Sequence, residues 1–111
     1  MDTELTFLGK GGSKVNDCPT LYTTDYGTYV IIGWKTDAPD TIEIPHLLLG
    51  FTEKETFIGA TMTDTGRGTF TLTGNPVTES RLLAQLKIEA YEAAVEVSKI
   101  RREYYGGIEA A

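Results

Sequence analysis

The sequence predicts an α+β domain: a mostly antiparallel, twisted sheet of five to seven short strands with one main helix in the C-terminal half. Three observations predict it. All seventeen threonines lie at or before Thr78, and ten of the 12 glycines lie before residue 75, so the N-terminal two thirds have strand and turn chemistry. From Glu79 onward threonine disappears and Ala and Glu take over. There, Leu83, Leu86, Ala90, Ala93, Val97, Ile100 and Tyr104 recur at a 3-4-3-4 spacing, a continuous apolar stripe if the segment is helical. At 111 residues the chain is of single-domain size.

In chain order, Glu4-Leu5-Thr6-Phe7-Leu8 alternates as a half-buried strand does, and Gly9 to Lys14 has the composition of a flexible loop. Thr20–Thr24 and Thr28–Trp34 are β-branched and aromatic runs separated by Asp25-Tyr26-Gly27, a turn, so they form a hairpin. The continuously apolar Tyr29-Val30-Ile31-Ile32 belongs in the middle of the sheet. Pro39 interrupts the ladder, and Ile42-Glu43-Ile44 is a strand stopped by Pro45. His46-Leu47-Leu48-Leu49 fits one helical turn closed by Gly50. Strands follow at Thr56–Ile58, Thr61–Thr63 and Thr69–Thr73, with a turn over Asp64–Gly68. A helix is expected to begin near Thr78 or Ser80.

The two series echo each other in order. Thr6-Phe7-Leu8-Gly9 returns as Thr56-Phe57-Ile58-Gly59, and Gly27-Thr28-Tyr29 with Gly33 returns as Gly68-Thr69-Phe70 with Gly74. Ile42-Glu43-Ile44-Pro45 has a counterpart in Val95-Glu96-Val97-Ser98. Pseudo-repeats over 4–50 and 55–105 are therefore expected. They leave two readings of the C-terminal third open. Ala and Glu favour one continuous helix; Val95 and Val97 favour a helix ending near residues 87–90, a strand, and a short closing helix.

Composition narrows function. The chain carries 10 Lys+Arg against 16 Asp+Glu, a formal net charge of -6, which disfavours nucleic acid, whose binding draws on cations set against phosphates. Lys99, Arg101 and Arg102 form the one basic cluster, diluted by Glu96 and Glu103 and read as a solvated face. No apolar run approaches the roughly 18 residues of a membrane helix, and the N-terminus lacks a basic region, so a cytoplasmic location is expected. One cysteine, Cys18, excludes an internal disulfide; with one histidine, His46, no metal set is grouped by spacing, and no cofactor is expected. Asp17 beside Cys18 would raise the thiol pKa, against a nucleophilic role.

Asp64-Thr65-Gly66 has the form of the aspartic protease tripeptide, in which two aspartates share a proton at a two-fold axis. Thr61-Met62-Thr63 before it and Arg67 after it fit a hairpin turn better, so a dimeric protease using Asp64 is the last alternative. Gly9–Lys14 lacks the spacing of a phosphate loop. Tyr22, Tyr26, Tyr29 and Trp34 cluster on the first hairpin, where aromatics serve either the core or an interface.

Two resemblances add to this. Ile44-Pro45-His46-Leu47, with Leu49-Gly50 and a following hairpin, resembles the swapped-hairpin DNA-binding antitoxins, though His46 and Leu47 stand where that family carries Lys or Arg. Gly11-Gly12-Ser13, Cys18, Gly27, Lys35-Thr36-Asp37 with Asp40, and Leu47-Leu48-Leu49 resemble short uncharacterised actinobacterial proteins encoded beside helix-turn-helix regulators. That resemblance implies a cytoplasmic accessory protein that binds another protein. The expectation is thus a non-enzymatic regulatory or interaction protein, possible as a homodimer, whose acidic surface steers it to a protein partner such as a basic DNA-binding regulator. Tyr26, Trp34, Lys35 and Asp37 are its candidate contact residues.

Overall fold

A computed structural model describes residues 4–11 and 19–102. Cys18, Gly12, Ser13 and Tyr104 lie outside the described residues. The strands are β1 (Leu5–Lys10), β2 (Thr20–Thr24), β3 (Thr28–Lys35), β4 (Thr41–Pro45), β5 (Thr56–Gly59), β6 (Met62–Asp64), β7 (Thr69–Thr73), β8 (Asn75–Pro76) and β9 (Glu92–Arg101). A 3-10 helix, His46–Phe51, follows β4, and the single α-helical turn, α1, spans Ser80–Leu83.

This corrects the expected fold class. The described residues form a nine-stranded antiparallel sheet with no main helix. The stripe from Leu83 to Ile100 is not a helix face, because residues 92–101 are β9, the longest strand. Tertiary pairing decides the matter. β9 pairs β3 from Thr28↔Ser98 to Trp34↔Glu92, and its other edge takes β8 and β5. Val95 and Val97 point inward from such a strand at period two, and both are buried. Ladder bonds on both edges outweigh the helix preference of Ala and Glu. The strand count exceeds the expected five to seven because β8 and β9, which pair each other, stand where the main helix was expected or just before it.

The pairings close on themselves. β3 pairs β2 on one edge and β9 on the other. Past the end of β2, Trp34 and Lys35 turn to β4, pairing Glu43 and Ile42. β4 pairs β7 from Thr41↔Thr73 to Pro45↔Thr69. Beyond Gly74 the same chain continues as β8, which pairs β9 through Asn75↔Glu96 and Pro76↔Val95. β3, β9, β8 with β7, and β4 therefore make a ring around one core, filled by Tyr29, Ile31, Ile42, Ile44, Leu72, Val95 and Val97, with Leu21, Leu48 and Ile58 closing it.

The two halves use the same register. Thr28↔Ser98, Tyr29↔Val97, Val30↔Glu96 and Ile31↔Val95 on one side match Thr69↔Pro45, Phe70↔Ile44, Thr71↔Glu43 and Leu72↔Ile42 on the other. Each half thus lays its last strand on the middle strand of the other half. The hairpin tips agree too: Gly27 and Gly68 have φ of 91 and 85, and the Thr24–Thr28 and Thr65–Thr69 hydroxyl pairs lie 2.8 and 2.6 Å apart. The match ends at the first strand of each half. β1 pairs β2, whereas β5 pairs β9.

Gly33 and Gly74 mark where strands cross most closely. A Cβ at Gly33 would sit 2.8 Å from the Glu43 carbonyl oxygen, and one at Gly74 would sit 2.6 Å from Val97 Cγ1 and 3.1 Å from the Glu96 carbonyl oxygen. A methyl group at Gly33 would press on backbone, and one at Gly74 would have to displace the Val97 side chain. Gly33→Ala and Gly74→Ala are each expected to cost about 1–3 kcal/mol in urea unfolding, the usual range for overpacking. A loss below about 0.5 kcal/mol in either would show that the crossing is looser than the geometry implies.

Candidate functional site

The four sequence candidates separate along β3. Tyr26 sits at the β2–β3 tip, half-exposed, and its hydroxyl donates to Glu96 Oε2 at 2.7 Å. Thr28 Oγ1 donates to the same oxygen at 2.7 Å. The other half repeats the arrangement: Arg67 Nη2 and Thr69 Oγ1 donate to Glu43 Oε2 at 2.9 and 2.5 Å. Each carboxylate thus clasps the tip of the opposing half's hairpin. Tyr26 and Lys35 lie at opposite ends of the strand, roughly 25–30 Å apart at about 3.3 Å per residue, so they do not form one site.

Trp34 is partly buried, opposite Glu92 on one edge and Glu43 on the other. Lys35 and Asp37 do share a site: a shallow groove of about 320 Å³ with walls from Thr36, Ala38, Pro39, Thr41 and Ala93. Thr36 shapes it, its hydroxyl donating to the Thr41 carbonyl at 2.8 Å and accepting from the Ala38 amide at 3.2 Å.

On the far side of β3 from the main core, Val30 and Ile32 are fully buried, as are Leu82 and Ala94. The segment between β8 and β9 crosses this face. The Val77 amide donates to the Ala94 carbonyl, Gln85 Oε1 accepts from the Leu5 amide of β1, and the Lys35 amide donates to the Tyr91 carbonyl. Glu92 is buried at its return, with Oε1 accepting from the Glu89 amide at 3.0 Å. Burial, and then the charge of Glu92, push the Tyr22 hydroxyl pKa up.

Asp64 closes a turn. Its Oδ1 accepts from the Gly66 amide at 2.8 Å, and its Oδ2 lies 3.5 Å from His46 Nε2. The His46 ring rests on Phe70, centroids 4.2 Å apart, with Nε2 3.1 Å from the Thr69 carbonyl oxygen. Among the described residues no group of three or more His, Cys, Asp or Glu side chains could hold a metal ion. No helix among them is long and apolar enough to cross a membrane.

The residues that sequence reading missed lie at one corner. Leu49 and Thr52 from the end of the 3-10 helix, Thr56, Phe57 and Ile58 from β5, and Met62 from β6 line an apolar pocket of about 190 Å³. Phe57 and Ile100 face each other across β5 and β9 and are 45% and 47% exposed. Arg102 lies 4.9 Å over the Phe57 ring. The basic cluster here is not simply a solvated face. Lys99 is largely buried, donating to Thr23 Oγ1 and Glu53 Oε1 with its Nζ 5.1 Å from the Tyr29 centroid. The Thr6–Gly9 and Thr56–Gly59 echo gave no signal of it, since it implies that β5 pairs β6 as β1 pairs β2, whereas β5 pairs β9.

The chain matches no family model, no curated protein and no solved structure.

The two clasps give pH expectations. Burial and the Glu96 hydrogen bond push the Tyr26 hydroxyl up to about 12, so in an ultraviolet titration Tyr26, along with the raised Tyr22, should stay protonated above pH 10. Tyr26→Phe should reduce the amplitude of that late step by one tyrosine; an unchanged titration curve would refute the clasp. The Thr69 hydrogen bond, with Arg67 behind it, holds the Glu43 carboxyl below its usual value. A lowered folded-state pKa contributes stability above the unfolded value and loses it as pH falls through the folded one. The stability gap between wild type and Glu43→Gln should therefore narrow as pH drops from 7 to about 3. A constant gap across that range would contradict the assignment.

Proposed function

We propose that this protein is a non-enzymatic interaction module that works by binding a protein partner. The observation that carries this reading is the apolar corner. Leu49 of the 3-10 helix leads into the pocket, Phe57 lines it, and Phe57 and Ile100, opposite each other on β5 and β9, are 45% and 47% exposed. Adjacent exposed apolar side chains beside a pocket are the kind of surface that protein partners cover. The groove flanked by the charged side chains of Lys35 and Asp37 supplies a second contact surface on the same reading. At longer range, a net charge of -6 favours a partner that is basic as a whole and speeds encounter with it. Nucleic acid is the weaker alternative on the same charge argument.

The immobilised wild-type protein is expected to retain a defined partner from lysate of the native host, and Phe57→Ser with Ile100→Ser to lose it. Lys35→Ala with Asp37→Ala tests the groove in parallel. Recovery of the same proteins by wild type and both double variants would sink the proposal.

A further inference from the structure

The register shared by the two halves brings one strand edge into question. Leu21, Tyr22 and Thr23 of β2 hold the positions that Met62, Thr63 and Asp64 of β6 hold in the second hairpin, as the Thr24 and Thr65 tip contacts align them. In the first half β1 fills the outer edge of β2, through Thr6↔Thr23, Phe7↔Tyr22 and Gly9↔Leu21. Phe7 then sits edge-on to Tyr22, centroids 6.1 Å apart. In the second half the strand with the matching sequence, β5, leaves β6 and pairs β9. Among the described residues nothing pairs the outer edge of β6.

That edge offers a complete set of backbone groups. The Thr73 amide donates to the Thr61 carbonyl and the Thr65 amide to the Thr69 carbonyl, so Thr61, Thr63 and Thr65 face β7. By alternation, the N–H and C=O groups of Met62 and Asp64 face outward. Beside Met62 opens the apolar corner pocket, walled by Phe57 and Ile58 where β5 turns away. Local charge reverses there. Glu53 and Glu55 are engaged by Lys99 and Arg102, while Lys54 and Arg101 make no ion pair among the described residues. Arg101 stands directly across from Thr56, a pocket residue, with their Cβ atoms about 5 Å apart.

We propose that the outer edge of β6 receives an extended segment of the protein partner as an added strand. The segment places one phenylalanine- or leucine-sized side chain in the corner pocket. A carboxylate on the same face, at the end away from Asp64, meets Arg101 and Lys54. The mode is β-augmentation: backbone bonds provide attachment, and the pocket with its cationic rim provides selection. The inference rests on the reading of the protein as a partner-binding module and adds the site and the chemistry of the segment.

The test titrates the full chain, labelled with nitrogen-15, with the synthetic peptide acetyl-Leu-Thr-Phe-Leu-Glu-amide and follows backbone amide shifts. Saturable shifts are expected at residues 56–58, 62–64 and 101. The same peptide with lysine for glutamate should bind about tenfold more weakly, and one with proline for threonine should lose binding with its strand backbone. Arg101→Glu should reverse the charge preference. Met62→Pro removes an outward-facing donor, a place where an edge strand tolerates proline, and should abolish binding while amides in the ring keep their positions. The inference is overturned by absent or non-saturating shifts, by shifts centred elsewhere, or by a charge preference unaltered in Arg101→Glu. Failure with all peptides, beside lysate capture that still depends on Phe57, would remove the β6 edge and leave the interaction function standing.

Discussion

The structure depends on one exchange of strands. β4, made early in the chain, lies on β7, and β9, made last, lies on β3. Neither half can close its own core, because the strand that would cover its middle strand belongs to the other half. Most of the remaining features serve that exchange. The absence of a side chain at Gly33 and Gly74 lets strands cross at contact distance. Glu43 and Glu96 project from the exchanged strands and hold the hairpin tips they land on, which fixes register as well as adding hydrogen bonds. A slip of one residue would turn Ile42, Ile44, Val95 and Val97 out of the core. It would also leave both carboxylates without the hydroxyls that now donate to them.

Within this shared frame the halves differ in what covers them, and side-chain chemistry follows the cover. In the second half the connection before the last strand is long and crosses the sheet from Val77 to Tyr91. Beneath it lie Val30, Ile32 and Ala94, all buried. In the first half the corresponding connection is a few residues, and the positions equivalent to those three are Thr71, Thr73 and Thr41, which reach solvent. Thr41 and Thr73 join hydroxyls at 3.0 Å. Threonine keeps the β-branched shape a strand favours while satisfying a wet face. The abundance of threonine therefore reflects an uncovered sheet face and two hairpin tips as much as strand propensity. The shorter connection itself, through Thr36, Asp37, Ala38 and Pro39, forms a wall of the groove at Lys35.

Much of this was legible in the sequence, element by element. The hairpin at Asp25–Gly27, the stop at Pro45, a helical turn over His46–Leu49 and the strands through Thr73 all follow from local chemistry, and the structure has each of them, the turn being a 3-10 helix that runs past Gly50 to Phe51. The main helix was not legible correctly, for a physical reason. Ala93, Val97 and Ile100 satisfy a helical spacing, yet Ala93 and Val97 also share one face of a strand, and only the vacancy beside β3 decides between them. Such a vacancy exists in three dimensions alone. The candidate site was partly legible: Lys35 and Asp37 line one groove, while Tyr26 is tied to Glu96 at the other end of β3. The apolar corner was hidden because it depends on β5 turning to β9 and not to β6, a choice that short, closely similar motifs cannot encode.

The strand exchange also has a cost during synthesis. Tyr26 and Glu96 are 70 positions apart, so β3 leaves the ribosome long before β9 exists to cover it. At about 5–20 residues per second the wait is roughly 4–14 s. Throughout it, Tyr29-Val30-Ile31-Ile32 presents one bare edge and an apolar face. Contacts this far apart in sequence form slowly, and a nascent chain in this condition is open to mispairing with its neighbours on a polysome. The acidic charge of the chain then takes on a second meaning, as repulsion between unfinished copies.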